Sequence, residues 1–351
     1  MTIDSSKNAV SVIGLGTMGH GIVQTFALAG YQVKAFDENS QAVLQLHQRI
    51  AANVATMQDL GVIDQVNIDA LLSRIQCCTT ESEVLIDSQF ITEAIAEDLQ
   101  MKQEFFARCE ELVAPDTLLA SNTSSFPMTE IASQLAYPER AINTHWFNPP
   151  HVIPVVEVIP GQQTSEQTIE QAMSLLQSIG KQPVRIHQEL PGFVMNRLQV
   201  ALFREMLDLV GRGVISAEDL DIAVRGSLGL RWAAVGPMRV GDFGGWDILA
   251  KVYQVLAPEI RSDSELPQVL DEMVDSGNLG LKTGQGFFEF PETSQDEIIR
   301  DKDNKFVAWA QLLKEAYKES PLSNYKKSST LSRHEIVWPH CSRICPRPDC
   351  H

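Results

Sequence analysis

The stretch "AVSVIGLGTMGHGIVQTFALAGYQVKAFD", residues 9–37, constrains the fold more strongly than any other part of this 351-residue chain. It reads as a short apolar strand at 9–13, a glycine-rich turn at 14–19, a helix at 21–29 and a second strand at 31–36. A strand–helix–strand unit of this kind joins two parallel strands by a right-handed crossover. The sequence therefore predicts an α/β fold that opens with a parallel sheet.

Strand and helix patterns go on alternating after this unit. We predict further strands at 89–92, 117–120, 141–144 and 154–159, and helices at 40–60, 101–112 and 165–179. Alternation of this kind is typical of a Rossmann-type doubly wound sheet. We assign that fold to a first domain, residues 1–191.

The pattern changes at Pro191 and Gly192, after which apolar residues recur at helical spacing and strand signals are missing until "GQGFFEF". This predicts an all-α C-terminal domain for substrate binding and dimerisation at 192–292, then a C-terminal helix at 293–320 and a disordered tail at 321–351. A long apolar helix in a small domain often packs against a second copy. We therefore expect a homodimer through the helical domain.

The three glycines of the first turn, Gly14, Gly16 and Gly19, match the pattern G-x-G-x-x-G. In a strand–turn–helix context the first glycine permits the tight turn, the second lets the backbone approach a pyrophosphate, and the third lets helix and strand pack closely. Thr17 and Met18 complete the loop, and the helix that follows presents free N–H groups to phosphates. The alternative is a glycine turn that binds no nucleotide.

Asp37 ends the second strand and is followed by Glu38. A carboxylate at this position accepts hydrogen bonds from the adenosine ribose of a dinucleotide. An added 2′-phosphate would meet negative charge there and no arginine. The sequence therefore favours NAD over NADP.

Charge and hydropathy exclude several classes of partner. The formal net charge of −17 argues against nucleic acid and anionic membranes, both of which reward a basic surface. No apolar run approaches the roughly 18 residues of a membrane span, and the N-terminus lacks the pattern of a signal peptide. We expect a cytoplasmic protein that acts on a small molecule.

The cysteines fall into two groups. Cys77, Cys78 and Cys109 stand in apolar surroundings, where a small buried side chain is expected. The last twelve residues hold Cys341, Cys345, Cys350, His340 and His351. Such a cluster could bind zinc, but its spacing matches no closed site, so we expect no metal.

The stretch "THWFNPPHVIPVVEVIPG", residues 144–161, places Glu157 inside a run of aliphatic residues. Burying an ionised carboxylate is costly unless it is paired or hydrogen-bonded. His145, twelve residues earlier, is the natural partner, and histidine is suited to take up a proton near neutral pH. The alternative is a structural hydrogen bond without catalysis. His151 lies close in sequence and is expected to be solvated; the alternative is a place at the mouth of the substrate site.

Seven motifs occur together in an order and spacing that resemble the L-3-hydroxyacyl-CoA dehydrogenase family: "SVIGLGTMGHGI", "EAIAED", "ASNTSS", "THWFNPP", "VVEVI", "PGFVMNRL" and "GLKTGQGFF". The resemblance covers residues 9 to about 290. It implies NAD-dependent oxidation of the 3-hydroxyl of an L-3-hydroxyacyl substrate to the 3-keto product.

The resemblance also implies a set of site residues. His145 matches the catalytic histidine and Glu157 the carboxylate that pairs with it. Ser124 matches a serine that contacts substrate and cofactor, and Asn196 an asparagine that contacts the substrate or the histidine. Glu97, Lys102, Asn148 and Lys282 fall on positions that contact NAD.

Two departures from the family bear on the substrate. Members that use acyl-CoA carry lysines in the helical stretch after the second strand, but here that stretch offers Arg49 alone. In addition, "GSLGLRWAAVGPM" is longer than in thioester-using members and resembles the L-gulonate 3-dehydrogenase and carnitine dehydrogenase branch. We hypothesise that Arg231 binds a substrate carboxylate; the alternative is a surface or interface arginine.

Two rival functions stay open. The 3-hydroxyisobutyrate and 6-phosphogluconate dehydrogenases share the opening "GLGTMG", but they use a lysine from a glycine-rich helix, and "PGFVMNRLQVAL" contains none. Relatives of the gulonate enzyme also serve as lens crystallins, so a non-catalytic NAD-binding protein is the second rival. The substrate expected from the resemblance is a CoA thioester, with a carrier-protein thioester or a free 3-hydroxy acid as alternatives.

Overall fold

The computed structural model describes residues 9–318. The tail predicted at 321–351, with its three cysteines and the candidate zinc ligands, lies outside the described residues. In the part of the chain that is described, no cluster of three or more metal-binding side chains is found.

One eight-stranded sheet organises the first domain, in the order β3-β2-β1-β4-β5-β6-β7-β8. The strands are β1 Ala9–Ile13, β2 Gln32–Phe36, β3 Ile75–Cys77, β4 Ser88–Glu93, β5 Leu118–Ser121, β6 Ala141–Trp146, β7 Val155–Pro160 and β8 Gln182–Arg185. All neighbours are parallel except β6 and β7, which run antiparallel. The doubly wound sheet predicted from the sequence is confirmed.

Helices cover both faces of this sheet. They are α1 Gly19–Leu28, α2 Ser40–Asp59, α3 Ile68–Leu72, α4 Glu81–Leu85, α5 Leu99–Leu112, α6 Met128–Ile131 and α7 Glu166–Ser178. One apolar cluster packs α1, α2, α3 and α7 on one face, and a second packs α4, α5 and α6 on the other. Cys78 and Cys109 are buried in the second cluster, as small apolar side chains.

Two strands were not predicted, β3 and β8. They have only three and four residues, and in each of them buried or half-buried residues alternate with exposed ones. Segments this short carry too little periodicity to be distinguished from loops. Their pairing with β2 and β7 supplies the order that the local sequence lacks.

Residues beyond 191 are helical, as predicted. The helices are α8 Met195–Gly211, α9 Ala217–Val224, α10 Leu230–Val235, α11 Pro237–Gly244, α12 Trp246–Leu256, α13 Gln268–Asp275 and α14 Gln295–Lys318. A π-helical turn, Arg225–Gly229, joins α9 to α10. Within a single chain, none of the residues of α8 to α13 is buried.

The last helix, α14, lies within the predicted range 293–320 and returns to the first domain. Its buried Val307 packs with Met57 of α2 and with Val152. None of the described helices is long and apolar enough to cross a membrane.

Candidate active site

The antiparallel pairing of β6 and β7 brings His145 and Glu157 together. In this register the two residues stand directly opposite each other. His145 Nδ1 lies 2.8 Å from Glu157 Oε2, and both side chains are buried. Because an ionised carboxylate only accepts hydrogen bonds, Nδ1 carries the proton and Nε2 keeps a lone pair for a substrate proton.

Glu157 has a second set of partners that the sequence did not reveal. Its Oε1 accepts hydrogen bonds from the backbone N–H groups of Val194 and Met195, each at 3.1 Å. These groups belong to the first turn of α8, where the helix dipole favours negative charge. The carboxylate is thus satisfied by the histidine on one oxygen and by a helix end on the other.

Two aromatic rings flank the imidazole of His145. The centroid of Phe147 lies 4.7 Å from that of His145, and the centroid of Phe193 lies 5.5 Å away. Phe193 is buried and has a φ of 50°, a left-handed conformation that a non-glycine residue rarely adopts. Both rings are tilted against the imidazole, by 60° and 55°, and their packing restricts its rotation.

A cavity of about 630 Å³ opens beside His145. Its walls come from the glycine loop, the ends of β4, β5 and β6, and the first turns of α8. The lining residues are Thr17, Met18, Ala94, Ile95, Glu97, Lys102, Asn122, Ser124, His145, Trp146, Phe147, Asn148, Asn196 and Gln199. Its position at the carboxyl ends of parallel strands is where doubly wound folds bind their ligands.

The loop that carries Ser124 is held by one carboxylate. Glu97 Oε1 accepts hydrogen bonds from Thr123 Oγ1 at 2.6 Å and from the backbone N–H groups of Ser124 and Ser125, each at 3.1 Å. Burial alone would raise the pKa of Glu97, but these hydrogen bonds and Lys102 bring it below its ordinary value. Asn196 Nδ2 donates to the Ser124 carbonyl oxygen at 3.4 Å and ties α8 to the same loop.

Lys102 lies between two carboxylates. Its Nζ is 2.7 Å from Glu93 Oε1 and 3.2 Å from Glu97 Oε2. Glu93 also accepts from Ser121 Oγ at 2.5 Å, and burial raises the pKa of its carboxyl despite the ammonium. The lysine predicted to contact NAD therefore lines the cavity as part of a charged network.

The glycine loop fits a dinucleotide. A methyl group on Gly14, whose φ is 89°, would lie 2.3 Å from the Ala94 carbonyl oxygen, and one on Gly19 would lie 1.7 Å from the Gly14 carbonyl oxygen. A methyl on Gly16 would meet no described atom within 4 Å. The loop is thus closely packed at its first and third glycines and open at the second, where a pyrophosphate approaches the backbone.

Asp37 is placed at the same loop. Its Oδ2 accepts from the Leu15 backbone N–H at 2.6 Å, and its Oδ1 from that of Asn39 at 2.8 Å. Each carboxylate oxygen can accept a second hydrogen bond. The residues present therefore fit an NAD molecule with its phosphates at Gly16 and its adenosine ribose at Asp37.

The sequence-predicted residues do not all meet at this cavity. Arg231 is exposed in α10, where its Nε donates to the Ser227 carbonyl oxygen at 3.3 Å. Lys282 is exposed in the segment after α13. Neither lines the cavity beside His145 within one chain, and their roles in substrate and NAD binding stay predictions.

Several residues that line the cavity or contact His145 were not predicted from the sequence. Gln199 lies three residues after Asn196, on the same side of α8, so helical spacing could have suggested it. Asn122 belongs to the motif "ASNTSS", but no role was predicted for it. Its Oδ1 accepts a hydrogen bond from the Trp146 backbone N–H at 2.9 Å and so joins the ends of β5 and β6. Phe147 and Phe193 gave no signal beyond being apolar.

The expectation that His151 is solvated is wrong. Its side chain is half-buried, and burial lowers its pKa to about 4. Its ring lies 6.1 Å from that of His20, and its Nδ1 is buried with no hydrogen-bond partner in residues 9–318. His151 is therefore a neutral imidazole packed beneath α1.

Comparison with known proteins places the chain in one family. Residues 9–190 match the family description "3-hydroxyacyl-CoA dehydrogenase, NAD binding domain", and residues 192–290 match "3-hydroxyacyl-CoA dehydrogenase, C-terminal domain". Together these matches cover most of the chain. Helix α14 lies beyond the second of them.

Individual relatives differ in their substrates. The chain is 32% identical to 5-formyl-3-hydroxy-2-methylpyridine 4-carboxylate 5-dehydrogenase of Mesorhizobium japonicum, over 87% of this chain and 97% of that protein. It is 36% identical to 3-hydroxybutyryl-CoA dehydrogenase of Clostridioides difficile, over 80% and 99%. It is 33% identical to L-carnitine dehydrogenase of Streptomyces coelicolor, over 75% and 81%.

A solved structure agrees with these matches. The crystal structure of a 5-formyl-3-hydroxy-2-methylpyridine 4-carboxylic acid 5-dehydrogenase, described as an NAD⁺-dependent dismutase, superposes with a TM-score of 0.81 at 31% identity. The alignment covers 88% of this chain and 98% of that one. The chain therefore belongs to the 3-hydroxyacyl-CoA dehydrogenase family, as an NAD-dependent oxidoreductase that acts on CH–OH groups.

Proposed function

We propose that this enzyme oxidises the 3-hydroxyl of an L-3-hydroxyacyl substrate to the 3-keto product, with His145 as the base and Glu157 as its partner. The supporting observation is the buried hydrogen bond between His145 Nδ1 and Glu157 Oε2 at the wall of the cavity that Asn148, Ser124 and Asn196 also line. NAD, when bound, accepts the hydride from C3.

The proton is handled by the protein. His145 Nε2 accepts the proton of the 3-hydroxyl, and Glu157 stabilises the imidazolium that forms. The hydrogen bonds from the first turn of α8 keep Glu157 in place, so the imidazole keeps one orientation throughout. The Ser124 hydroxyl and the Asn196 amide, which line the same cavity, position the substrate oxygen.

We test this function by NADH production at about pH 9, where loss of the hydroxyl proton is favoured. The substrates are L-3-hydroxybutyryl-CoA, and free L-gulonate, L-carnitine and L-3-hydroxybutyrate. We expect NADH to form with at least one of them and not with the D-isomer of the same compound. A protein that binds NADH but forms none with any of these substrates would instead be the crystallin-like alternative.

A free 3-hydroxy acid is the second candidate substrate, and helix α2 favours it. Arg49 is the only arginine or lysine in this helix, and its guanidinium donates to the carbonyl oxygens of Leu15 at 2.8 Å and Gly16 at 3.1 Å. It also lies 2.8 Å from His20 Nδ1. Since Arg49 donates to the glycine loop, fewer of its N–H groups are available to the phosphates of CoA, and α2 offers no second cation.

The position of helix α14 also bears on this candidate, because it covers part of α2, the helix on which the resemblance would place CoA-binding lysines. It packs over α2 and leaves a cavity of about 250 Å³, lined by Asn53, Thr56 and His151 on one side and by Arg300 and Asp303 on the other. Turnover of L-3-hydroxybutyryl-CoA alone would reject this candidate and place the enzyme in acyl-CoA metabolism. Turnover of free acids alone would support it, and Arg231 would be the next residue to mutate.

We also propose that the enzyme is a homodimer through the helical domain. Every residue of α12 is exposed within a single chain, including Trp246, Leu249 and Tyr253. A helix with large apolar side chains on all sides is stable only when it is covered. A second copy presents the same unpaired helices, so a two-fold interface covers both sets.

We expect a native mass of twice 38.9 kDa, which analytical ultracentrifugation at micromolar concentration would measure. Tyr253→Glu places a charge on the exposed face of α12 and should produce monomers or aggregates, because an unpaired charge in an apolar interface is costly. Tyr137→Glu, on an exposed tyrosine of the first domain, is the matched control and should leave the mass unchanged. A wild-type monomer at these concentrations would reject the dimer.

A further inference from the structure

Lys181 is a buried lysine that the mechanism above does not use. Its side chain is 7% exposed, and no carboxylate lies within ion-pair distance of it in residues 9–318. Burial lowers its pKa to about 8. A buried lysine without a carboxylate is rare, because an ammonium group is costly to remove from water.

The three N–H groups of this ammonium have identifiable partners. Nζ donates to the carbonyl oxygens of Pro150 at 2.6 Å and Ile153 at 2.8 Å. It also lies 5.2 Å from the centroid of the Trp146 ring, over its face, which is a cation–π distance. The first two contacts are with the stretch 147–154, and the third is with Trp146, which precedes it.

That stretch, which we term the 147–154 connection, joins the two strands of the proposed dyad. It starts after Trp146, next to His145 in β6, and ends at β7, which carries Glu157. Phe147 and Asn148 at its start line the cavity, and Asn148 precedes a cis peptide bond to Pro149. The position of this connection therefore sets one wall of the cavity.

Apolar packing supports part of this connection, because Val152 packs with Met57 and Val307. Its hydrogen bonds to the rest of the described residues are few. Within it, the backbone N–H groups of Val152 and Ile153 both donate to the Pro149 carbonyl oxygen. Those hydrogen bonds close a local turn, but they do not attach the turn to the rest of the protein. The hydrogen bonds that attach it come from Lys181 Nζ and from the neighbouring Gln182 N–H, which donates to the Pro154 carbonyl oxygen at 2.8 Å. Lys181 is the residue that holds the middle of the connection, at Pro150 and Ile153.

We infer that Lys181 is a positioning residue: it holds the 147–154 connection so that Phe147 and Asn148 stand correctly against His145. It contacts neither the cavity nor the imidazole, so its effect on turnover passes through the connection. The effect on turnover rests on the function proposed above. The effect on the order of the connection does not, and the two are measured separately.

The first test is hydrogen exchange of Lys181→Met, which keeps the length of the side chain and removes its donors. We expect the amides of Val152 and Ile153 to exchange at least tenfold faster than in the wild type, while the amides of β1 and β4 do not change. Unchanged exchange in this connection would overturn the inference, whatever the activity. If the methionine variant does not fold, the same exchange measurement is made on Lys181→Gln, which keeps one NH₂ donor group.

The second test is kinetic. We expect Lys181→Met to lower kcat by about 10- to 100-fold, because a small displacement of positioning groups has effects of this size. Its Kd for NADH, measured by fluorescence, should stay within about twofold of the wild type, and Lys181→Gln should recover part of kcat. A kcat equal to that of the wild type would overturn the positioning role.

Lys34→Met is the matched control. Lys34 Nζ also donates to two backbone carbonyl oxygens, of Ile86 at 2.6 Å and Glu83 at 3.4 Å, but it lies on β2, outside the cavity lining. Its loss should lower stability without changing kcat. If the wild type forms no NADH with any substrate, the proposed function fails, and hydrogen exchange alone decides the inference on Lys181.

Discussion

Replacing His145 with glutamine should lower kcat/KM by about 10²- to 10⁴-fold, the range found when a general base is removed. Glutamine can still accept a hydrogen bond from the substrate, but it cannot take up the hydroxyl proton. The first turn of α8 would continue to satisfy Glu157 Oε1, so the fold should persist. Initial rates of NADH formation with the best substrate of the panel would measure the loss.

Two controls make this result specific. The Kd for NADH should change by less than about threefold, because the dinucleotide contacts that we propose at Gly16 and Asp37 do not depend on the imidazole. His47→Gln, on a histidine of α2 whose Nε2 lies 3.8 Å from Cys77 Sγ, should keep the wild-type rate. If His145→Gln retains more than a tenth of the activity, another group is the base.

Replacing Gly19 with alanine should lower the free energy of unfolding by about 3 kcal/mol, at the upper end for overpacking a well-filled site. The added methyl would lie 1.7 Å from the Gly14 carbonyl oxygen, an atom of the backbone that cannot rotate away. The loop and the first turn of α1 must separate, which disturbs the dinucleotide site. Urea unfolding and NADH fluorescence would measure both losses, and we expect at least a tenfold weaker Kd.

Gly16→Ala separates binding from stability at the same loop. Its methyl would meet no described atom within 4 Å, so stability should change by less than about 0.5 kcal/mol. The methyl would occupy space that a pyrophosphate needs, so NADH should still bind at least tenfold more weakly. Gly226→Ala, also in open space but in the π-helical turn, should alter neither. Tight NADH binding by Gly16→Ala would reject the placement of the phosphates.

The part of the fold that local sequence can specify was predictable. The unit from β1 to β2 needs only short-range patterns, namely an apolar strand, a glycine turn and a helix, and each lies within a few residues of its predicted bounds. The alternation that follows determined the doubly wound sheet. β3 and β8 were not predicted, because segments of three and four residues become strands only by pairing with neighbours already in the sheet.

In the candidate site, too, the residues could be predicted from the sequence but their contacts could not. His145 and Glu157 stood out in the sequence because a carboxylate in an aliphatic run needs a partner, but their contact depends on the antiparallel register of β6 and β7. The helix end that holds Glu157 Oε1 comes from a segment 37 and 38 residues further along the chain. Sequence spacing carries no signal for a contact of that kind.

By itself, the sequence determined the type of sheet, the dinucleotide loop and the residues that suit the chemistry, because each follows from local pattern and residue type. Only the tertiary structure decided what those residues touch. In the folded chain Lys181 donates to the 147–154 connection, Arg49 donates to the glycine loop, and α14 packs over α2. The reason is physical: burial and hydrogen-bond partners depend on the packing of distant segments, and that packing minimises a free energy to which the whole chain contributes.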